Sequence, residues 1–295
     1  MAALTPDEPA PRRWLRAVLD RPRTGPALLA ASTFMAWIGV ADTYSEVTAI
    51  RNPWGLTRVI DLQWLVGPEA VIAVSILLLA CGVQFARKGG STLAAGTIFL
   101  VLFLYAHIEE ALDAGVENVM HGKFLPGGAM IAWYAGVTWG RTRDPDGGVR
   151  RGLEMAADVA ASLYLWAGLI KIKVSGVDWV HNVNLPLLVL ERAYMAGQIK
   201  GPLRAWFSGQ ETLLSVFSGV VVVIESAGLL MLWPRWRISF AAAASIMHLC
   251  IGTLMGYYYV EWSVALWGIA IWSRYLYLVE PAIVTSPSHE RPPPA

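Results

Sequence analysis

The chain has 295 residues, of which 56% are hydrophobic and only 15% are charged, and its formal net charge is +1. A soluble domain carries about 25% charged residues spread along its length, whereas here the charges gather in short clusters between long apolar runs. The composition therefore excludes an ordinary soluble domain. Because neither the total charge nor its distribution resembles a phosphate-binding face, a nucleic-acid partner is excluded as well.

The apolar runs approach twenty residues, the length that a helix needs to cross a hydrocarbon core of about 30 Å. They predict an all-α, polytopic integral membrane protein, a helical bundle of about eight transmembrane helices with the lipid bilayer as its solvent. The predicted spans cover residues 26–41, 66–85, 92–109, 124–140, 154–172, 213–233, 238–256 and 262–279. The first of these spans is the shortest.

The predicted organisation has three parts. Residues 1–23 form a basic cytoplasmic segment, residues 24–280 form the transmembrane domain with an outer loop around 173–212, and residues 281–295 form a proline-rich tail that we expect to be disordered. Cys81 and Cys250 fall in separate apolar runs and imply no disulfide framework.

Lysine and arginine counts orient the bundle, because positive charge accumulates in cytoplasmic loops. With a cytoplasmic N-terminus, fifteen of these residues lie on the inner side and seven in the outer loops. The outer seven are Arg51, Arg58, Lys123, Lys173, Arg192, Lys200 and Arg204. We therefore predict an integral plasma (inner) membrane protein with both termini in the cytoplasm.

Lys171 is the first candidate functional residue, because an ionisable group inside a span is costly to place in hydrocarbon, about 2.5–3.5 kcal/mol for a lysine at a helix centre. It stands in YLWAGLIKIKVSGVDW, near the predicted outer end of the fifth span. A neutral amine at that place can act as a base. The alternative is that Lys171, like Lys173, extends along the helix to the membrane surface.

Two histidines are also candidates. His248 lies in the small-residue stretch AAAASIMHLCIG, where it can serve catalysis, bind a metal or join two helices by a hydrogen bond. His121, in NVMHGKFLPGG, marks a glycine-rich entry into the fourth span, where an ordinary surface histidine is the alternative. His121 lies on the outer side of the predicted topology, and His248 lies within the seventh predicted span.

Metal binding is not predicted. His107, Glu110 and either Asp113 or Glu117 lie near one helical face by their spacing and could hold a divalent metal, but no second helix carries the matching Glu-x-x-His pattern. We interpret the acidic cluster as a solvated helix end.

Most of the fourteen tryptophans fall near predicted span ends, as an aromatic belt does. Trp133, Trp166 and Trp267 are deeper and are candidates to line a pocket for a flat ring, with core packing as the alternative. In the outer loop, Arg192 and Arg204 are candidates to meet an acidic peptide or a small acidic substrate, and a solvated interfacial face is the alternative.

Three motifs together resemble the membrane domain of vitamin K-dependent gamma-carboxylase, within the wider horizontally transferred transmembrane domain (HTTM) family. They are AGLIKIKVSGVDW, NVMHGKFLPGG and ESAGLLMLWPRWRISFAAAASIMHLCIG. The resemblance covers most of the chain, roughly from Arg58 to Arg274. The spacing from Lys171 to Asp178 and Trp179 is longer than in the carboxylase.

The resemblance implies catalytic roles for Lys171, His121 and His248, with Lys171 as the base that deprotonates a reduced quinone and His121 beside quinone and substrate. It implies an isoprenoid quinone of the vitamin K type as cofactor, with oxygen and carbon dioxide as co-substrates. The expected function is a quinol-dependent, carboxylase-like membrane enzyme whose base acts on a substrate approached from the outer side. The alternatives are a non-enzymatic membrane scaffold or helper in peptide maturation or export and, ranked last, a transporter.

Overall fold

The computed structural model describes residues 18–47, 50, 55–111, 124–141, 147–180, 186, 189–190, 197–256 and 259–279. Within these ranges the regular structure is helical, without strands. Nine α-helices have described bounds. They are α1 (Thr24–Ser45), α2 (Pro68–Arg87), α3 (Thr92–Ala111), α4 (Phe124–Arg141), α5 (Gly148–Ser175), α6 (Gly197–Ser208), α7 (Glu211–Ser226), α8 (Arg237–Met255) and α9 (Val260–Arg274).

Each of the eight predicted spans coincides with one of these helices, and α6 is an additional short helix in the predicted outer loop. The ends differ from the predictions by several residues. The first span is a helix of 22 residues rather than a short one. The predicted span 213–233 is divided into α7 and a 3₁₀ helix, Ala227–Leu232, and the last span continues from α9 into a π-helical turn, Tyr275–Val279.

Among the described residues, five helical segments are long and apolar enough to cross a membrane, and α3 contains a shorter apolar helix. They are Thr24–Ser45, Pro68–Arg87, Gly148–Ser175, Glu211–Leu232 and Pro234–Met255. Large apolar side chains in mid-helix positions are exposed, such as Ile76 at 64% and Val223 at 67%. A surface of this kind suits hydrocarbon rather than water, so the fold has the properties of a helical membrane bundle.

Helix α5 packs against α4, α7, α9 and the 3₁₀ helix Ala227–Leu232. A row of small residues on α5 makes this possible, because small side chains let helix backbones approach closely. At Gly152 an added Cβ would lie 2.8 Å from the Trp133 carbonyl oxygen on α4, and at Gly168 it would lie 2.7 Å from Ser226 Oγ on α7. The two glycines thus set the packing distances on either side of α5.

Helices α1 and α9 form a second close pair, and they bring the first and last described helices together. A Cβ added to Gly25 would lie 2.3 Å from the Cβ of Trp272, and one added to Gly268 would lie 2.8 Å from the Leu29 nitrogen. Their contact completes a core that is continuous through the bundle.

Candidate functional site

A buried ion pair joins α5 to α7. Lys171 Nζ lies 2.8 Å from Glu225 Oε1 and 2.7 Å from Oε2. The side chains are 20% and 10% exposed, respectively. Both oxygens of the carboxylate therefore face one ammonium group, inside a bundle whose outer surface is apolar.

The side chain of Lys171 folds back along its own helix. Nζ also donates to the carbonyl oxygen of Ala167 at 3.4 Å, one turn towards the N-terminus of α5. This is the direction in which helical side chains lean, and it takes the amine towards the middle of α5. Lys171 therefore does not extend to the C-terminal end of α5. This differs from the alternative interpretation of the sequence, in which the side chain extends along the helix to the membrane surface.

The packing of α5 on α7 explains why the two side chains meet. Gly168 lies against the backbone nitrogen and hydroxyl of Ser226, the residue after Glu225. Because the helices touch there without an intervening side chain, Lys171, about one turn further along α5, can reach the carboxylate directly. Lys173 is on the exposed side of the same helix and takes no part in this contact.

A second polar group lies about two turns from Lys171 on α5. The Tyr164 hydroxyl lies 3.0 Å from His248 Nε2, and His248 Nδ1 lies 3.0 Å from Ser263 Oγ. The Ser263 hydroxyl also lies 3.3 Å from the carbonyl oxygen of Tyr259, to which it can donate. In the tautomer with its proton on Nδ1, the imidazole donates to Ser263 Oγ, and Nε2 accepts from the Tyr164 hydroxyl.

This polar chain is enclosed by aromatic rings. Trp262 lies edge-on to both Tyr164 and His248, at centroid distances of 5.7 and 6.2 Å, and Tyr259 lies 5.3 Å from the imidazole. Tyr164 is 2% exposed and His248 is 6% exposed.

Trp179 adds a flat surface to the ion pair. Lys171 Nζ lies 5.4 Å from the centre of the Trp179 ring, within the range of a cation–π contact. The indole Nε1 of Trp179 is buried and has no hydrogen-bond partner among the described residues. Buried donors of this kind are uncommon in folded proteins, so Trp179 offers an unused donor next to a charged pair.

The structure brings two of the predicted site residues, Lys171 and His248, into one region of α5, α7 and α8. His121 and Arg192 lie outside the described residues. Arg204 is buried, and its guanidinium donates to the carbonyl oxygens of Thr253, at 2.8 Å from Nε, and Gly252, at 3.4 Å from Nη2. Arg204 thus closes the C-terminal end of α8.

The three predicted cofactor-binding tryptophans have contacts elsewhere. Trp133 is fully buried and stacks 5.6 Å from Trp272. Trp267 donates from Nε1 to Ser245 Oγ at 3.1 Å. Trp166 is 60% exposed on α5. Their role at a ring-binding site stays a prediction, and the rings that adjoin the ion pair and His248 are Trp179 and Trp262.

Three residues of the site were not predicted as functional from the sequence. Glu225 stands in the apolar run VVVVIES, and a carboxylate and an amine buried in different spans are expected to pair. The carboxylate of Glu225 within this apolar run could therefore have been identified from the sequence as a partner for Lys171. Tyr164 shares a helical face with Lys171, but a tyrosine on an apolar helix carries no comparable signal. Trp179 was assigned to the aromatic belt.

No group of three or more His, Cys, Asp or Glu residues that could hold a metal ion is found among the described residues. The fold and site together define a class, a helical bundle of the membrane-protein type with a paired lysine and glutamate in its interior. Comparison of the chain with protein families, curated proteins and solved structures finds no match.

Proposed function

We propose that this chain is a membrane enzyme of the HTTM type, resembling vitamin K-dependent carboxylase, that uses a reduced quinone and oxygen to generate a base acting on a substrate from the outer side. The observation that carries the proposal is the Lys171–Glu225 pair, which lies beside a hydrogen-bonded tyrosine and histidine inside an apolar bundle. Paired ionisable groups inside an apolar bundle are typical of sites that move protons.

The ion pair accepts a proton as a unit. In its charged form Lys171 holds one proton and Glu225 holds none. With a quinol bound beside the pair, Glu225 would accept a hydroxyl proton from it, and the Lys171 ammonium would stay in place to hold the oxygen that gives up the proton. The base is therefore the pair rather than Lys171 alone.

Tyr164, about two turns from Lys171 on α5, and its partner His248 support this chemistry. With the imidazole proton on Nδ1, the Tyr164 hydroxyl donates to His248, and its oxygen retains a lone pair directed away from the imidazole. A hydroxyl held in this way can orient a second proton donor next to Glu225, and His248 can take up the hydroxyl proton in turn. By the resemblance to the carboxylase, His121 would be a further residue beside the quinone and the substrate.

The residues around the pair fit a quinone ring. Trp179 presents a flat aromatic surface, and its buried Nε1 needs an acceptor, which a quinol or quinone oxygen provides. When bound, the quinol supplies the electrons for the reaction with oxygen. Carbon dioxide would be a further co-substrate if the chemistry follows the carboxylase.

The finer membrane arrangement belongs to the same proposal. It has eight transmembrane helices in the plasma (inner) membrane, with both termini in the cytoplasm. The region 173–212 then faces outwards, and an acidic peptide or small acidic substrate would approach there. Arg192 is the candidate contact, and Arg204 holds the end of α8 that borders this region.

A non-enzymatic scaffold or helper in peptide maturation or export is the second candidate. One observation favours it: the Lys171–Glu225 pair satisfies its own charges and joins α5 to α7, so it can serve structure alone. In that case a neutral replacement of both residues would preserve function. No proton chemistry would be required.

The test is quinol binding and quinol-dependent oxygen uptake by the purified protein in nanodiscs, with menaquinol, ubiquinol and vitamin K hydroquinone. We expect uptake by the wild type and its loss in Lys171→Ala and in Glu225→Gln, with retention in Lys173→Ala as the matched control. Neither binding nor uptake with any of the three quinols would refute the enzyme proposal and favour the scaffold.

A further inference from the structure

Helix α6 has its polar and apolar faces reversed relative to a helix at the surface of a water-soluble protein. Within residues 201–208 the exposed side is made of four apolar residues, Pro202, Leu203, Ala205 and Trp206. Leu203 is 47% exposed and Trp206 is 58% exposed. Arg204, the charged residue of this stretch, is only 5% exposed. A buried arginine below an exposed apolar face suits a helix whose outer side meets lipid rather than water.

Arg204 fixes the height of α6 along the bundle. Its guanidinium donates to the carbonyl oxygens of Thr253 and Gly252 in the last turn of α8. The carbonyl groups of a last helical turn need partners from outside the helix, and Arg204 reaches them from the middle of α6. Helix α8 completes the segment Pro234–Met255, which is long and apolar enough to cross a membrane. The middle of α6 therefore lies at the level where a membrane-crossing segment ends.

The connection from α6 to α7 gives the same height independently. Helix α6 ends at Ser208, and α7 begins at Glu211. The two residues between them form a turn whose backbone nitrogens donate to the carbonyl oxygens of Trp206 and Phe207, at 3.3 and 2.9 Å. Glu211 is also the first residue of the apolar segment Glu211–Leu232. Two membrane-crossing segments, one at its start and one at its end, thus place α6 at a single boundary of the membrane.

The contacts of α6 with the bundle involve the side opposite its apolar face. Phe207 packs against Leu214 of α7 and Leu254 of α8, and Arg204 binds the end of α8. A helix of only 12 residues that contains a proline is marginal by itself in water. An outer cover for its apolar face would therefore stabilise it.

Lipid is the cover that the surroundings of α6 favour. The exposed apolar surface of α7 begins next to α6, where Leu213 is 45% exposed and Val216 is 60% exposed. The apolar face of α6 thus adjoins a surface of the kind that suits hydrocarbon. Trp206, the largest exposed residue of α6, belongs to the residue type that is enriched where lipid headgroups meet the hydrocarbon core.

We propose that α6 is an interfacial helix whose apolar face inserts into one leaflet of the bilayer, at the boundary between the headgroups and the acyl chains. The face is formed by Pro202, Leu203, Ala205 and Trp206. The indole ring of Trp206 contacts the acyl chains while its N–H is directed to the headgroups. Helix α6 then attaches the chain between α5 and α7 to the membrane surface. This surface is separate from the Lys171–Glu225 pair and does not depend on the proposed enzyme function.

Site-directed spin labelling of the full-length protein in phosphatidylcholine vesicles tests the proposal. A nitroxide is attached to Trp206→Cys, near the centre of the apolar face, or to Leu203→Cys at its edge, with Cys81 and Cys250 replaced by alanine. Collisions with oxygen, which concentrates in hydrocarbon, and with a water-soluble nickel chelate report the depth of the label. We expect both labels about 5–10 Å below the headgroup surface.

Two reference positions calibrate the depth, and circular dichroism checks that each variant retains its helix content. Val223→Cys, in the middle of α7 and 67% exposed in the wild type, should be deeper than either label on α6. Lys88→Cys, at the exposed end of α2, should be the most accessible to the nickel chelate.

Nickel accessibility at both α6 positions equal to that of Lys88→Cys would overturn the proposal, because it would place the face in water. Low accessibility to both reagents would overturn it as well, because it would show that protein covers α6. Dipolar broadening between labels would then identify the covering protein as a second copy of this chain.

Discussion

Replacing either member of the Lys171–Glu225 pair is expected to destabilise the bundle. Lys171→Met leaves a buried carboxylate without its cation, and Glu225→Gln leaves the ammonium without its anion. Breaking a buried pair in this way costs about 3–5 kcal/mol. Because the two side chains retain 20% and 10% exposure, some water screens the remaining charge, and we expect the lower end of the range, about 3 kcal/mol, for each single variant.

The double variant, Lys171→Met with Glu225→Gln, removes both charges and should cost less than the two single variants together. We expect a coupling energy of about 2 kcal/mol in the double-mutant cycle. The free energy of unfolding can be measured by titration with SDS in mixed micelles. Lys173→Met, two positions along α5 and exposed, is the matched control and should change stability by no more than about 0.5 kcal/mol.

A coupling energy near zero would refute the reasoning, because it would mean that the two charges do not depend on each other in the folded protein. This result is obtained if the double variant loses as much free energy of unfolding as the two single variants lose together. A coupling of the expected size would show that the pair joins α5 to α7, and it would apply to both candidate functions.

Two further predictions concern packing and a second ion pair. Gly168→Ala places a Cβ 2.7 Å from Ser226 Oγ and should lower the thermal midpoint, at a cost of about 1–3 kcal/mol, whereas Gly209→Ala meets its nearest atom at 3.6 Å and should be close to neutral. Arg237→Met removes the cation beside Glu154, which keeps its hydrogen bond from the Tyr277 hydroxyl. Because Glu154 is 35% exposed, the variant should cost about 3 kcal/mol, the lower end of the range for a buried pair, in the same SDS titration. The exposed Arg235→Met should cost less than about 0.5 kcal/mol, and a similar loss in both variants would contradict the assignment.

The helical fold could be predicted from the sequence because hydrocarbon imposes a length and a composition on every helix that crosses it. All eight predicted spans correspond to helices, and α1 was predicted too short because Asp42 near its end interrupts the apolar run. The division of the predicted span 213–233 was not foreseen. The 3₁₀ helix that begins at Ala227 follows from close packing of Gly228 on Tyr164, a contact between distant residues.

The candidate site could be predicted only in part. Lys171 and His248 stand out because ionisable residues in apolar runs are rare, and the structure places both in one region of the bundle. Their partners depend on which helices touch and at what height. Tyr164 meets His248 because α5 and α8 are neighbours in space, and Trp179 adjoins Lys171 because the chain continues from α5 into the 3₁₀ turn Gly176–Trp179.

The same limit applies to Arg237. It is one of the fifteen basic residues that the loop count placed on the inner side, yet the structure buries it completely against Glu154 and Ser273. Charge counting along the chain gives the side of the membrane on which a residue is expected to lie. It cannot reveal a buried partner on another helix.

Proton transfer from a quinol to the Lys171–Glu225 pair can be followed by infrared difference spectroscopy of the protein in nanodiscs. On addition of the quinol that binds best, we expect a new carbonyl band from a protonated carboxylic acid, present in the wild type and in Lys173→Met and missing in Glu225→Gln. Quinol binding without such a band, or a band that persists in Glu225→Gln, would show that Glu225 does not accept the proton.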